Sequence, residues 1–189
     1  KDISSFEFVH IGNHSHTHDY LVDKSDKEIE DDLKTSINIF KEKLNHETKF
    51  FAYPFGEYKN SYIEIVKKLG FEYGFGQHSG VMDKTKNKYE LPRFPINEKY
   101  GEEKRFKTLL NTIPFPYLKI LPEEKYLKPK DNPPNVKIFF FENGPNLKNI
   151  NCFSNEEDKW RNSKINFISK NEIEILLDGK FVTERGRIN

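Results

Sequence analysis

Apolar residues at helical spacing, set between short β-like runs, constrain the fold of this chain more than any other feature. Residues 25–44 carry apolar side chains at intervals of four, four, three and four: Ile29, Leu33, Ile37, Phe40 and Leu44. This spacing places one continuous apolar stripe along a helix. Ser25 precedes the stripe and Glu28 follows three residues later, which is the pattern of a capping box. We therefore predict a helix that begins after Ser25 and ends near residues 44–45.

The segments around this helix alternate in type. Short strands are predicted at 5–11, 49–53 and 71–75, a fourth β element at 91–96, and further helices at 60–69 and 101–112. Alternating strands and helices are typical of an α/β domain with a parallel sheet. The first strand is apolar on both faces, which favours a sheet covered on both sides. Residues 1–112 are therefore predicted to form an α/β domain.

The character of the sequence changes after residue 112. Prolines without helical spacing fill residues 113–135, which we interpret as a Pro-rich linker. Four short β-rich runs follow, at 136–141, 150–153, 164–168 and 172–177. Runs at this spacing, separated by turn residues, favour a small antiparallel, sandwich-like domain over residues 136–189.

Composition narrows the possible functions. Aromatic residues make up 14% of the chain, which argues against disorder despite 32% charged residues. The 31 basic and 30 acidic residues are interspersed, so no basic stripe suggests a nucleic acid partner. No apolar run approaches the roughly 20 residues that span a bilayer, so no transmembrane segment is expected. No secretory signal is visible, and because residue 1 is Lys, we expect the native N-terminus to lie elsewhere. One cysteine excludes an internal disulfide and a multi-cysteine zinc site.

Three of the 6 histidines lie within five positions, at His14, His16 and His18, directly after the first predicted strand. Imidazole is a good ligand for Zn²⁺ and similar metals, and a spacing of four residues places two rings on one side of a helical turn. Ligand sites in α/β sheets lie outside the carboxyl ends of strands, where this cluster falls. The alternative is a polar loop that contains three histidines without a ligand.

The segment 11–21 reads IGNHSHTHDYL. It resembles the second motif, His-Ser/Thr-x-x-His, of the polysaccharide (NodB-type) deacetylases, carbohydrate esterase family four. The resemblance implies that His14 and His18 bind a divalent metal, with Zn²⁺ expected, and that Ser15 braces the loop. His16 is not a ligand in that pattern and is expected near the site or on the surface.

Residues 51–56, FAYPFG, resemble the third motif of the same family, Arg-x-Pro-Tyr/Phe-Gly. The resemblance implies that the Phe55 backbone N–H binds the oxyanion and that Tyr53, Pro54 and Phe55 line the substrate groove. Ala52 stands where the pattern has Arg, a form similar to the poly-N-acetylglucosamine deacetylase subgroup. Core packing is the alternative role for the rings of Tyr53 and Phe55.

Residues 75–80 (FGQHSG) and 91–94 (LPRF) resemble the late motifs of that subgroup. Arg93 is implied to reach the catalytic centre and His78 to contact substrate, the alternative for His78 being an exposed loop residue. The resemblance covers about residues 5–112 and implies the C-terminal portion of a deacetylase domain, a partial (β/α) barrel.

The first motif of the family, Thr-Phe-Asp-Asp, precedes the histidines and supplies the general base and a third metal ligand. We expect it outside this chain. Asp31 and Asp32 are rejected as substitutes, because they follow the histidines and fall beside the apolar stripe, on the solvated side. Asp19, next to His18, is interpreted as a carboxylate at a helix N-terminus, the alternative being a carboxylate that approaches the metal.

The expected function is metal-dependent hydrolysis of N-acetyl groups, less readily O-acetyl groups, on a polysaccharide, incomplete in this fragment. Cell-envelope, periplasmic or secreted localisation is expected because that substrate class lies there. The alternative is a non-catalytic carbohydrate-binding or assembly protein with a degenerate deacetylase fold. Its aromatic platforms would be Tyr53, Phe55, Tyr73 and Trp160. A purely structural metal site is a third possibility, although such sites usually contain cysteine.

Overall fold

The computed structural model describes residues 3–144, 146–156, 159–181 and 187–188. The chain forms two compact units, Lys1–Phe115 and Pro116–Asn189, which are described separately. No helix within the described ranges is long and apolar enough to cross a membrane.

Unit 1 is a mixed α/β structure built on a parallel sheet. Its elements in chain order are α1 (Asp26–Leu44), β1 (Phe50–Ala52), α2 (Asn60–Lys68), β2 (Tyr73–Phe75) and α3 (Glu103–Leu110). Strands β1 and β2 pair in parallel. Single parallel bridges extend this sheet on both sides, at Asn13–Phe51 and Phe75–Leu91. The predicted alternation is thus confirmed from α1 onward.

Helix α1 begins as the sequence predicts. The Ser25 side chain accepts from the Glu28 backbone N–H, and the Glu28 carboxylate accepts from the Ser25 N–H, so both halves of the capping box are present. Asn45 ends the helix in the left-handed conformation, with φ 49°. Ile29 and Leu33 of the predicted stripe are completely buried in the core.

The strand predicted at residues 5–11 is wrong. This segment has a 3-10 turn at Ile3–Ser5 followed by irregular backbone, and pairing with β1 starts at Asn13. Phe8 is 81% exposed. A segment that is apolar on both faces forms a strand when neighbouring elements cover both faces. Within the described structure, Phe6 and Phe8 of this segment are not covered. The fourth β element predicted at 91–96 is reduced to the bridge at Leu91.

Two tyrosines in the unit 1 core differ in how their hydroxyls are satisfied. Tyr53 Oη donates to the Tyr89 carbonyl oxygen at 3.0 Å. Tyr62 Oη is buried without a hydrogen-bond partner among the described residues. Burial raises the pKa of both hydroxyls, so both stay neutral.

We expect Tyr62→Phe and Tyr53→Phe to change stability in opposite directions. Removing an unpaired buried hydroxyl leaves the free energy of unfolding unchanged or higher by about 1 kcal/mol, whereas removing a paired one lowers it by about 1 kcal/mol. Urea unfolding of both variants measures the difference. Equal losses in the two variants would contradict the assignment of Tyr62 as unsatisfied.

Unit 2 consists of two antiparallel sheets. Its strands are β3 (Tyr117–Leu121), β4 (Val136–Phe140), β5 (Phe153–Glu156), β6 (Lys159–Asn162), β7 (Lys164–Ser169), β8 (Glu172–Leu176) and β9 (Arg187–Ile188). One sheet has the order β3-β4-β8-β7 and the other the order β6-β5-β9. Where the sequence predicts a linker, β3 pairs with β4 instead, because its partly buried side chains at Tyr117 and Ile120 pack against the unit 2 core.

The centre of unit 2 combines apolar and polar groups. Cys152 is a free thiol, 5% exposed, within an apolar cluster that includes Val136 and Ile173. Burial raises the pKa of that thiol. Nearby in sequence, the buried Glu156 carboxylate accepts from Ser154 Oγ and, at 2.6 Å, from the Gly179 backbone N–H. These contacts satisfy a carboxylate that burial would otherwise destabilise.

Candidate metal and substrate site

His14 is fixed by the strand beside it. Its Nδ1 lies 2.6 Å from the Ala52 carbonyl oxygen. Because a carbonyl oxygen can accept but not donate, Nδ1 carries a proton, and in the neutral ring the lone pair available to a ligand is therefore that of Nε2. Metal-binding histidines typically have this second hydrogen bond, which fixes the tautomer and the ring orientation.

His18 is held in a tight turn beside His14. The His18 backbone N–H donates to Ser15 Oγ at 3.0 Å, which is the bracing role that the resemblance implies for Ser15. Both residues have positive φ, 57° at His18 and 68° at Ser15, a conformation unusual for non-glycine residues. The His14 and His18 ring centroids are 4.8 Å apart at 70°. The structure therefore brings together the two histidines that the sequence singles out.

Side chains of helix α1 form hydrogen bonds to the loop that carries the histidines. The Asn13 side-chain oxygen accepts from the Ser15 N–H at 3.0 Å and from Ser36 Oγ at 2.7 Å. Asp32 is 9% exposed and accepts from the backbone N–H groups of His16 and Thr17, both at 2.9 Å. The prediction that Asp32 lies on the solvated side is therefore wrong, whereas Asp31 is exposed and pairs with Lys27.

Phe55 forms the opposite wall of the histidine turn. Its ring stacks on Tyr20 with centroids 3.8 Å apart and meets the edge of His18 at 4.8 Å. Its φ of 56° is again positive, and the next residue, Gly56, has φ 74°. The Phe55 backbone N–H makes no hydrogen bond to any described residue. This donor therefore remains available, as an oxyanion-binding role requires.

An open groove of about 450 Å³ adjoins His14. It is lined by His10, Gly12, Asn13, His14, Phe50, Ala52, Phe75 and Arg93. Arg93 thus lines the same groove as His14, and its role near the catalytic centre stays a prediction. His78 is exposed and does not line this groove; its carbonyl oxygen accepts from the Arg93 backbone N–H at 3.0 Å.

Tyr53 and Pro54, predicted to line the substrate groove, are buried. Tyr53 packs against Phe51 and Tyr62, with ring centroids 5.2 and 5.1 Å away. The alternative of core packing therefore describes Tyr53, because an aromatic ring next to a turn is recruited to the core when its hydroxyl finds a partner there. Of this turn, the half-buried Phe55 is the residue that reaches the histidines.

Among the described residues, two side chains, those of His14 and His18, are the candidate metal ligands. No group of three or more His, Cys, Asp or Glu residues within the described ranges is arranged to hold an ion. His14 and His18 present neighbouring imidazoles, one with its tautomer fixed, and a catalytic zinc site usually needs one more protein ligand. The donor set is therefore suited to a borderline divalent cation but is incomplete.

Residues 1–74, which carry the histidine loop, α1 and β1, match the family model of the polysaccharide deacetylases. This match confirms the resemblance found in the sequence. The fold agrees, because the described structure resembles that of a Streptococcus pyogenes deacetylase, PplD, in complex with acetate. The TM-score is 0.50 at 21% identity, over 53% of this chain and 44% of that one.

The chain is also similar in sequence to individual curated proteins. Over 94 residues the chain is 28% identical to the poly-beta-1,6-N-acetyl-D-glucosamine N-deacetylases of Staphylococcus aureus strains MSSA476 and MRSA252. The match covers 44% of this chain and 32% of each relative. The chain thus spans about a third of the length of the relatives it matches.

Proposed function

We propose that this chain is the C-terminal portion of a metal-dependent deacetylase that hydrolyses N-acetyl groups on a polysaccharide. The substrate class follows from the relatives, which act on poly-β-1,6-N-acetyl-D-glucosamine. The observation that carries the proposal is the hydrogen bond from His14 Nδ1 to the Ala52 carbonyl, with the His18 ring beside it. That bond fixes the orientation of the His14 ring and, in the neutral tautomer it selects, leaves the Nε2 lone pair for a ligand.

In this proposal His14 and His18 hold the metal, with Zn²⁺ as the expected ion. A divalent ion bound there supplies polarisation of the acetyl carbonyl and lowers the pKa of bound water toward about 7. The Phe55 N–H donates to the oxygen on which negative charge develops. Loss of one such donor typically costs about 3–4 kcal/mol of transition-state stabilisation. Arg93 adds a positive charge to the wall of the same groove.

The third ligand and the general base are proposed to come from the carboxylates of the first family motif, Thr-Phe-Asp-Asp, outside the residues described. We also propose that the parallel sheet of unit 1 is part of a (β/α) barrel and that unit 2 is sandwich-like. The parallel order of β1, β2 and their bridged neighbours supports the first of these. Localisation at the cell envelope or outside the cell follows from the substrate class.

Chelation tests the metal requirement. We expect the full-length protein to release acetate from a β-1,6-linked N-acetylglucosamine oligomer, and to lose at least about 90% of that rate in EDTA, because carbonyl polarisation and water activation are lost together. Added Zn²⁺ should restore the rate. Acetate release that is insensitive to chelation would overturn metal dependence, and no release from any N-acetylated oligomer would overturn the deacetylase proposal.

A further inference from the structure

Helix α1 carries two buried polar side chains, Asp32 and Ser36, on its otherwise apolar inner face. They are four residues apart, so they project from the same side of the helix. Neither belongs to the pair of histidines proposed to bind metal. Each contacts the loop that carries those histidines, which gives both a role that helix stability alone does not explain.

Asp32 forms hydrogen bonds to the middle of the loop. One carboxylate oxygen, Oδ1, accepts from the His16 N–H and the other, Oδ2, accepts from the Thr17 N–H, both at 2.9 Å. Hydrogen bonds to an ionised carboxylate are about twice as strong as those between neutral groups. The two amides belong to the residues between the ligands, so their position sets the path of the chain from His14 to His18.

Ser36 forms a hydrogen bond at the start of the loop. Its Oγ donates to the Asn13 side-chain oxygen at 2.7 Å, and that oxygen also accepts from the Ser15 N–H. Asn13 is 1% exposed and lies next to His14. Helix α1 therefore holds the loop at two points, before His14 and between the two histidines.

The loop needs such external support because its own conformation is strained. Ser15 and His18 both have positive φ, which is unfavourable for a non-glycine residue and persists where the surroundings impose it. The backbone N–H groups of a tight turn also require acceptors when they are partly buried. Asp32 supplies two acceptors at once, which an amide or a hydroxyl at the same position does not.

We propose that Asp32 and Ser36 are positioning residues that hold the His14–His18 loop in its metal-binding conformation, Asp32 being the stronger. The inference rests on the proposed function, because the loop conformation matters to activity through the metal. The carboxylate acts through the backbone of His16 and Thr17 and does not touch the ion. Through these two residues the site also includes helix α1, which follows the histidine loop in the sequence.

The test compares Asp32→Asn with Asp31→Asn in the full-length protein. Asn keeps one acceptor but turns an N–H₂ group toward a backbone donor, so we expect Co²⁺ affinity to fall at least about tenfold, the range seen for groups that orient ligands. Amide exchange at His16 and Thr17, measured without metal, should accelerate at least about tenfold. Asp31 is exposed and bonded to Lys27, so its variant should change both quantities less than twofold.

The following results would contradict the inference about Asp32 and Ser36. Unchanged Co²⁺ affinity and unchanged amide exchange in Asp32→Asn would overturn the inference. If Asp32→Asn loses its helical circular dichroism, Ser36→Ala replaces it, because that change removes the contact to Asn13 and leaves no backbone N–H unpaired. Unaltered affinity and exchange in Ser36→Ala would then be the contrary result. A wild-type protein that binds no Co²⁺ overturns the proposed function, while amide exchange still decides whether Asp32 holds the loop.

Discussion

Replacing His14 with Ala lowers the affinity of the full-length protein for Zn²⁺ at least about a hundredfold. Loss of groups that merely orient a ligand costs 10–100-fold, so about a hundredfold is the lower bound for loss of the ligand itself. The His14 ring is held in place by the hydrogen bond between its Nδ1 and the Ala52 carbonyl oxygen. Acetate release should fall with metal occupancy. Isothermal titration calorimetry with Zn²⁺ and the acetate assay measure the two effects.

His18→Ala should give a similar loss, because its ring lies 4.8 Å from that of His14. His46→Ala is the matched control, since His46 is an exposed histidine just beyond α1 and lines a different, smaller cavity. It should bind Zn²⁺ like the wild type. Affinity that survives both His14→Ala and His18→Ala would eliminate this pair as the metal ligands.

The second large effect is expected at Gly56. A Cβ atom there would lie 2.2 Å from the Gln77 Cβ and 2.4 Å from the Gln77 backbone N, and Gly56 has φ 74°. A left-handed conformation costs an L-residue about 1–2 kcal/mol, and forcing atoms into a packed region adds about 1–3 kcal/mol. We therefore expect Gly56→Ala to lower the free energy of unfolding by about 2–5 kcal/mol in a urea titration followed by circular dichroism.

Gly70→Ala separates the two causes. Gly70 has φ 91°, but its added Cβ would meet nothing within 4 Å. Its variant should therefore lose only the conformational part, about 1–2 kcal/mol. Equal losses at Gly56 and Gly70 would show that contact with Gln77 contributes nothing. Because Gly56 follows Phe55 directly, we also expect Gly56→Ala to lower acetate release under conditions in which the variant is still folded.

Local signals predicted helix α1 well. The capping box at Ser25 and the stripe through Ile29 and Leu33 are properties of consecutive residues, and the structure has both. The motif resemblance selected His14 and His18 from the three histidines, and the structure places their rings side by side, while their role as metal ligands stays a prediction. The oxyanion role of Phe55 stays a prediction, although its free N–H and its place beside His18 agree with it.

Long-range contacts account for what the sequence did not predict. Asp32 was assigned to the solvated face because a carboxylate beside an apolar stripe is usually exposed, and its amide partners are 15 and 16 residues away. A usable signal existed, since Ile29, Asp32 and Ser36 recur at helical spacing. Tyr53 was ambiguous for the same reason, because its partner carbonyl is 36 residues away.

Strand predictions failed where pairing, not composition, decides. Residues 5–11 have apolar side chains for both faces of a strand, but Phe6 and Phe8 stay exposed. Tyr117–Leu121 lies among prolines and still forms β3, because β4 offers it a complementary edge. A strand is stabilised by its neighbours, and the sequence of one segment does not contain them.

The lone cysteine of unit 2 gives the protein a built-in reporter. Cys152 is buried, its thiol has a raised pKa, and the sequence holds no other cysteine. A thiol reagent therefore modifies the native protein only when the surroundings of Cys152 open, and its rate follows the free energy of that opening. Labelling kinetics of the wild-type chain thus read out the opening of one unit alone. The same measurement on variants of the histidine loop reveals, without any engineered probe, whether a change in unit 1 is felt in unit 2.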